Sequence, residues 1–320
     1  MFVPMRTAMR HEINFINYGN LVINGGGNVG AMLKGYLKNT SSLILDKPIE
    51  IYGDGNIGVS IQSNDADLNN NSIVKVNIGV NQAGSTNISE APSDKASGNT
   101  NDGIIKANVG LYSIDTNTTI GQHNILIGEQ TNQNIGVAAN AGTLTIGTGE
   151  IKIYGGRENV GLFTNGGNIA STGNISIEGG ENNRIAIARN GKTITIGGTV
   201  SVGNISGNKA INNTIPFYVT DTGSKITLAN DTLEINLSGD SIGVYSTTSG
   251  EFTANRSSLI HSGTGFGGGI IEPTAPVNIY VKGTTVSGLV KGVGLFADNG
   301  GKINTKNTYV KVKDGSVGIA

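Results

Sequence analysis

Apolar residues in this chain come in short alternating runs, each broken off by Gly, Asn or Ser. One pattern recurs: a polar residue, an aliphatic, Gly, an aliphatic, then an aromatic or small residue. It reads Asn56-Ile57-Gly58-Val59, Asn77-Ile78-Gly79-Val80, Asn108-Val109-Gly110-Leu111-Tyr112, Asn134-Ile135-Gly136-Val137-Ala138 and Asn159-Val160-Gly161-Leu162-Phe163. It returns as Ser241-Ile242-Gly243-Val244-Tyr245, Gly292-Val293-Gly294-Leu295-Phe296 and Ser316-Val317-Gly318-Ile319-Ala320. Degenerate copies are Asn28-Val29-Gly30, Arg184-Ile185-Ala186-Ile187-Ala188, Thr214-Ile215-Pro216-Phe217-Tyr218 and Gly268-Gly269-Ile270. The central residues fall at 30, 58, 79, 110, 136, 161, 186, 216, 243, 269, 294 and 318. A near-constant period of about 25 residues is the mark of a solenoid.

Two further runs follow the motif in the better copies. One is Gly142-Thr143-Leu144-Thr145-Ile146 or Gly191-Lys192-Thr193-Ile194-Thr195-Ile196; the other is Ile151-Lys152-Ile153, Ile175-Ser176-Ile177 or Val200-Ser201-Val202. All alternate with period two, as half-buried strands do. Strands this short bury too little alone, so each must pair in parallel with its counterpart one repeat later. The pattern therefore predicts an all-β, right-handed parallel β-helix of about twelve rungs with three strands per rung. Residues 1–20 read as an irregular N-terminal segment and 21–320 as one continuous β-helix, with polar loop insertions near 64–71, 81–103 and 255–276. In Asn159-Val160-Gly161-Leu162-Phe163, strict alternation points Val160 and Leu162 inward and leaves Asn159, Gly161 and Phe163 outside or at a corner. Corner Asn side chains are expected to stack into hydrogen-bonded ladders.

Composition sharpens this picture. There are 50 Gly, 40 Asn, no Cys and no Trp among 320 residues, and charged residues make up 14%. Net charge is −1 with no Lys/Arg cluster, so no basic footprint for nucleic acid is present. The lack of Cys suits passage through an oxidising compartment. No run is long enough for a membrane helix, and residues 1–10 lack a signal-peptide core, so an export signal is expected outside this chain.

Parallel β-helices host polysaccharide lyases and hydrolases, whose chemistry needs carboxylates converging on one face. Asp65 and Asp67 lie two apart in an Asn-rich stretch and read as solvated turn residues. His11, His123 and His261 are scattered and read as exposed or loop histidines. Gly53-Asp54-Gly55-Asn56 does not repeat as a calcium-binding roll would, and the outward pairs Thr143/Thr145 and Thr193/Thr195 are too interrupted for an ice-binding array. No catalytic, metal or cofactor site is expected. One surface feature remains: Tyr112, Phe163, Tyr218, Tyr245 and Phe296 share a repeat position. They either cap a corner of the core beside the Gly column or form a partner-binding column that stacks on sugars or side chains.

The recurring Asn-Val-Gly-Leu-Phe, Gly-Lys-Ile-Asn-Thr at 301–305 and Ile-Ser-Ile-Glu-Gly at 175–179 resemble the passenger region of very long type V autotransporter adhesins of anaerobic Gram-negative bacteria. The resemblance covers roughly residues 20–320. It implies a non-catalytic, extracellular stalk that mediates or displays adhesion to a glycan or protein on host cells or other bacteria. It further implies a fragment of a larger protein, held at the outer membrane by a C-terminal translocator barrel not in this chain. A carbohydrate-active enzyme and a purely structural spacer are the alternatives.

Overall fold

The computed structural model describes residues 14–19, 21–23, 27–35, 42–45, 49–51, 55–63, 74–80, 108–114, 118–128, 133–203, 211–229, 233–238, 241–254, 277–282, 293–305, 308–313 and 317–320. These residues form strands and turns with no helix, and every ladder between strands is parallel. The chain is a β-solenoid, as its short alternating runs require.

The Gly-centred motif builds one sheet of ten strands, the first face. They are Val29–Gly35, Ile57–Ser63, Val109–Ile114, Ile135–Ala139, Val160–Thr164, Arg184–Ala188, Phe217–Val219, Ile242–Ser246, Val293–Ala297 and Val317–Ile319, stacked in chain order. The rung expected at Gly79 is absent from it. Ile57 pairs directly with Val109, and Val74–Val80 joins the other sheet, with Ile78 beside Ile49 and Ile125. Val74-Lys75-Val76 alternates without the glycine break, so the Asn-Ile-Gly-Val at its end is the close of a longer regular strand. The rung expected at Gly269 lies outside the described residues; Ile242 pairs directly with Val293.

The other runs form the second and third faces. Asn168–Ser171 leads to Thr193–Ile196, Lys225–Leu228, Glu251–Ala254 and Lys302–Thr305 on the second. Asn174–Ile177 leads to Val200–Val202, Leu233–Ser238, Val277–Lys282 and Thr308–Lys313 on the third. Two long strands, Thr118–Ile127 and Thr143–Ile153, run across both faces and join them into one sheet. Gly149 has φ 142°, a conformation open to Gly that lets the longer strand change face without a turn. Asn14–Asn17 pairs with Ser42–Leu45, so pairing begins ahead of residue 21. The insertions expected at 64–71, 81–103 and 255–276 fall outside the described residues.

The interior is a set of aliphatic columns. Leu111, Val137 and Leu162 from the first face meet Leu144 and Ile169 from the second and Ile125, Ile151 and Ile175 from the third, all buried. Phe217 and Phe252 join this interior, their rings 5.1 Å apart. Burial of each such side chain contributes about 1.5–3 kcal/mol.

The face assignment expected for the motif is half corrected. Leu162 points inward, but Val160 belongs with Phe163 to a second apolar cluster, separate from the main core. The glycine is the reason. A Cβ on Gly161 would lie 2.8 Å from the Ile185 carbonyl oxygen and 3.2 Å from Cγ2 of Ile175, inside the solenoid; Gly136 meets the Gly161 oxygen and Ile151 in the same way. The backbone dips inward at Gly110, Gly136 and Gly161 and alternation restarts after each, which leaves the preceding aliphatic outside the main core.

A second correction concerns Arg184-Ile185-Ala186-Ile187. The expected alignment set Ala186 on the glycine position, but Val160 pairs with Arg184 and Leu162 with Ala186, which sets Ile185 opposite Gly161. Asn183 takes the corner position and fixes the shift, because its Oδ1 accepts the buried backbone N–H of Asn159 at 2.9 Å. Bulk is conserved by exchange: Gly-Leu in one rung becomes Ile-Ala in the next, and Ile185 and Ala186 are both buried in the main core.

Candidate functional site

The outer side of the first face carries three columns. The residue before the glycine, or before Ile185 and Pro216 where they stand in its place, gives Val109, Ile135, Val160, Arg184, Ile215, Ile242 and Val293 in successive rungs. Two positions after the glycine stand Tyr112, Ala138, Phe163, Ile187, Tyr218, Tyr245 and Phe296. Beyond them runs a polar column of Asn140, Asn165, Arg189, Thr220, Thr247 and Asp298. All five aromatic residues singled out by repeat position stand in the middle column. It is not continuous, since Ala138 separates Tyr112 from Phe163 and Ile187 separates Phe163 from Tyr218.

The two halves of this stripe differ. In the lower half Val109, Ile135, Val160, Phe163 and Ile187 are 0–1% exposed and Tyr112 is 6% exposed. In the upper half Tyr218, Tyr245 and Phe296 are half-buried, as are Ile215, Ile242 and Val293 beside them. Tyr112 and Phe163 are packed residues, whereas Tyr218, Tyr245 and Phe296 keep part of their surface exposed.

The upper rings form a ladder. Tyr218 and Tyr245 have centroids 5.4 Å apart at an interplanar angle of 48°, and Tyr245 and Phe296 are 5.0 Å apart at 47°. At one end the Arg184 guanidinium lies 5.8 Å from the Tyr218 ring centre, a cation–π distance. At the other the Tyr245 hydroxyl donates to Oδ2 of Asp298 at 3.3 Å. Partial burial and the Asp298 carboxylate both hold the Tyr245 hydroxyl above its ordinary pKa, so it stays a neutral donor. Repeat position alone found the rings. It missed Arg184, which the one-residue register shift moves into the strip, and Asp298, which follows the motif by two residues.

Elsewhere among the described residues three ion pairs bridge neighbouring rungs. Lys152 pairs with Glu178, Arg157 with Glu181 at 3.2 Å and Lys225 with Glu251 at 2.9 Å. Glu251 also accepts from Thr253 and Asn304, and Lys225 with these donors holds its carboxyl below the usual range. Asp65, Asp67, His11 and His261 lie outside the described residues, and among the described residues no group of three His, Asp or Glu is placed to hold a metal ion.

His123 departs from its expected exposed setting. It lies within the strand Thr118–Ile127, 3% exposed, and neither ring nitrogen has a hydrogen-bond partner among the described residues. Its ring fills the space that Gly173, two rungs on, leaves by lacking a Cβ. Burial lowers its pKa to about 4, so at neutral pH it is an uncharged core filler. No family model matches the chain, and comparison with curated proteins and with solved structures finds no match.

Proposed function

We propose that the chain is a non-catalytic, surface-exposed stalk that mediates or displays adhesion, its coil right-handed as parallel crossovers almost always are. The supporting observation is the contrast between its surfaces. Three pairs of charged side chains on the outside tie one rung to the next, whereas the first face leaves an apolar strip at Tyr218, Tyr245 and Phe296 half open. Apolar rings framed by polar groups are the usual makings of a recognition surface. The sequence resemblance to autotransporter passengers points the same way, to an extracellular setting with a glycan or protein partner.

The test is retention of intact epithelial cells and of bacterial cells on a surface coated with the folded chain, with heat-denatured chain as control. Saturable retention by the folded chain alone is the expected result. Absence of retention by protein with a full β circular dichroism signal overturns the adhesive reading and leaves a spacer.

A further inference from the structure

We propose that the open strip of Tyr218, Tyr245 and Phe296 is a saccharide-binding site, taking a short linear oligosaccharide laid along the solenoid axis. This rests on the adhesive reading and names its ligand class.

The shape of the strip selects the ligand. It spans three adjacent rungs, on the order of 10–15 Å at the ~4.8 Å spacing of neighbouring strands. A stable protein partner needs about 800 Å² from each side, far more than three half-buried rings offer. A few sugar units fit that length. Ring-to-ring spacings of 5.4 and 5.0 Å are on the scale of one pyranose unit in an extended chain, so successive sugars can meet successive rings.

The chemistry matches as well. A pyranose has apolar C–H faces and a rim of hydroxyls, and it seeks aromatic surface bordered by hydrogen-bonding groups. Tilts of 48° and 47° keep neighbouring rings from eclipsing one another, which leaves part of each face outward. Ile242 and Val293 widen the apolar floor. The exposed Asp298 carboxylate at one end, which already accepts from the Tyr245 hydroxyl, can accept from sugar hydroxyls as well. The rings stand on strands locked by inter-rung hydrogen bonds, so binding orders little of the protein.

The chain has nine Tyr and no Trp, so its ultraviolet emission comes from tyrosine, and the part that Tyr218 and Tyr245 contribute is read without tryptophan background. Cellotetraose, chitotetraose, xylotetraose and mannotetraose are titrated into the whole chain, read by tyrosine emission and by saturation-transfer NMR. At least one is expected to bind saturably. Tyr245→Ala and Phe296→Ala are expected to weaken it roughly tenfold, while Tyr245→Phe keeps most of the affinity. Asp298→Ala removes no ring and takes away one acceptor, and it is expected to weaken binding. No saturable binding of any tetrasaccharide by folded protein overturns the proposal, as does binding unchanged in both ring variants. Cell retention separates the two readings. Cells held by wild type while no tetrasaccharide binds overturn the saccharide site and leave adhesion standing; loss of both overturns both.

Discussion

Oδ1 of Asn183 accepts two hydrogen bonds from Asn159, one from its backbone N–H at 2.9 Å and one from its Nδ2 at 3.2 Å. The backbone N–H bond recurs from Asn28 to Oδ1 of Asn56, from Asn56 to Oδ1 of Asn108 and from Asn134 to Oδ1 of Asn159. At Thr214 and Ser241 a serine hydroxyl takes the accepting role at 3.0 Å. One corner of the solenoid is thereby held by side chains standing in for a backbone carbonyl. Asn183→Ala is expected to leave the buried Asn159 N–H without its acceptor and to cost about 1–3 kcal/mol. Asn183→Ser, which copies Ser241, should cost less. Urea denaturation of the three proteins checks the order.

The exchange of bulk at Ile185 and Ala186 makes a sharper prediction. Ile185→Gly removes a fully buried side chain and should cost about 2–5 kcal/mol. Ile185→Gly with Ala186→Leu rebuilds the Gly-Leu pair of the neighbouring rung and should recover most of that loss. Strong coupling in a double-mutant cycle is the expected outcome. Additive losses would show that the two positions do not share one space.

Gly136 tests the inward dip of the backbone. Its missing Cβ would stand 2.8 Å from the Gly161 carbonyl oxygen and 3.1 Å from Cγ2 of Ile151. Backbone cannot yield as a flexible side-chain tip can, so Gly136→Ala should destabilise by about 1–3 kcal/mol, as overpacking does. The thermal midpoint measures it.

His123 predicts an acid response. Its pKa is about 4 in the folded chain against the ordinary 6.5, so the unfolded state binds more protons between these limits. Stability from this residue is complete above about pH 6.5 and is lost as pH falls toward 4, by roughly 3 kcal/mol in all. His123→Phe keeps a ring over Gly173 and cannot be protonated. Its stability should fall less steeply than wild type across pH 6.5–4, measured by denaturant titration at each pH.

Much of this architecture was legible in the sequence, because a parallel stack repeats the same demand at each turn. The Asn corner, the Gly position and the two alternating runs each recur often enough to be recognised. What misled was the assumption that alternation continues through a glycine. Gly161 has no side chain to declare its direction, so nothing in the letters showed that Val160 faces away from the core. The Arg184 register was hidden for a related reason: Ala186 resembles a glycine replacement more closely than Ile185 does. The match is set instead by Asn183, two residues ahead of Ile185. At the candidate site the rings were visible as a repeat position, but the difference between buried Phe163 and half-open Tyr245 depends on what surrounds them in three dimensions.

Two steps on the first face are double length, from Asn56 to Asn108, 52 residues apart, and from Ile242 to Val293. Closure entropy grows only logarithmically with the length of chain enclosed, so doubling a loop costs about 0.6 kcal/mol. That is less than one buried isoleucine contributes. The ladder therefore closes over surplus sequence with almost no thermodynamic resistance, provided the aliphatic, Gly, aliphatic core of the motif reappears on the far side. Growth of such a chain is modular in an unusual sense: a lineage can lengthen one turn, or graft new sequence onto it, without renegotiating the packing of the turns above and below.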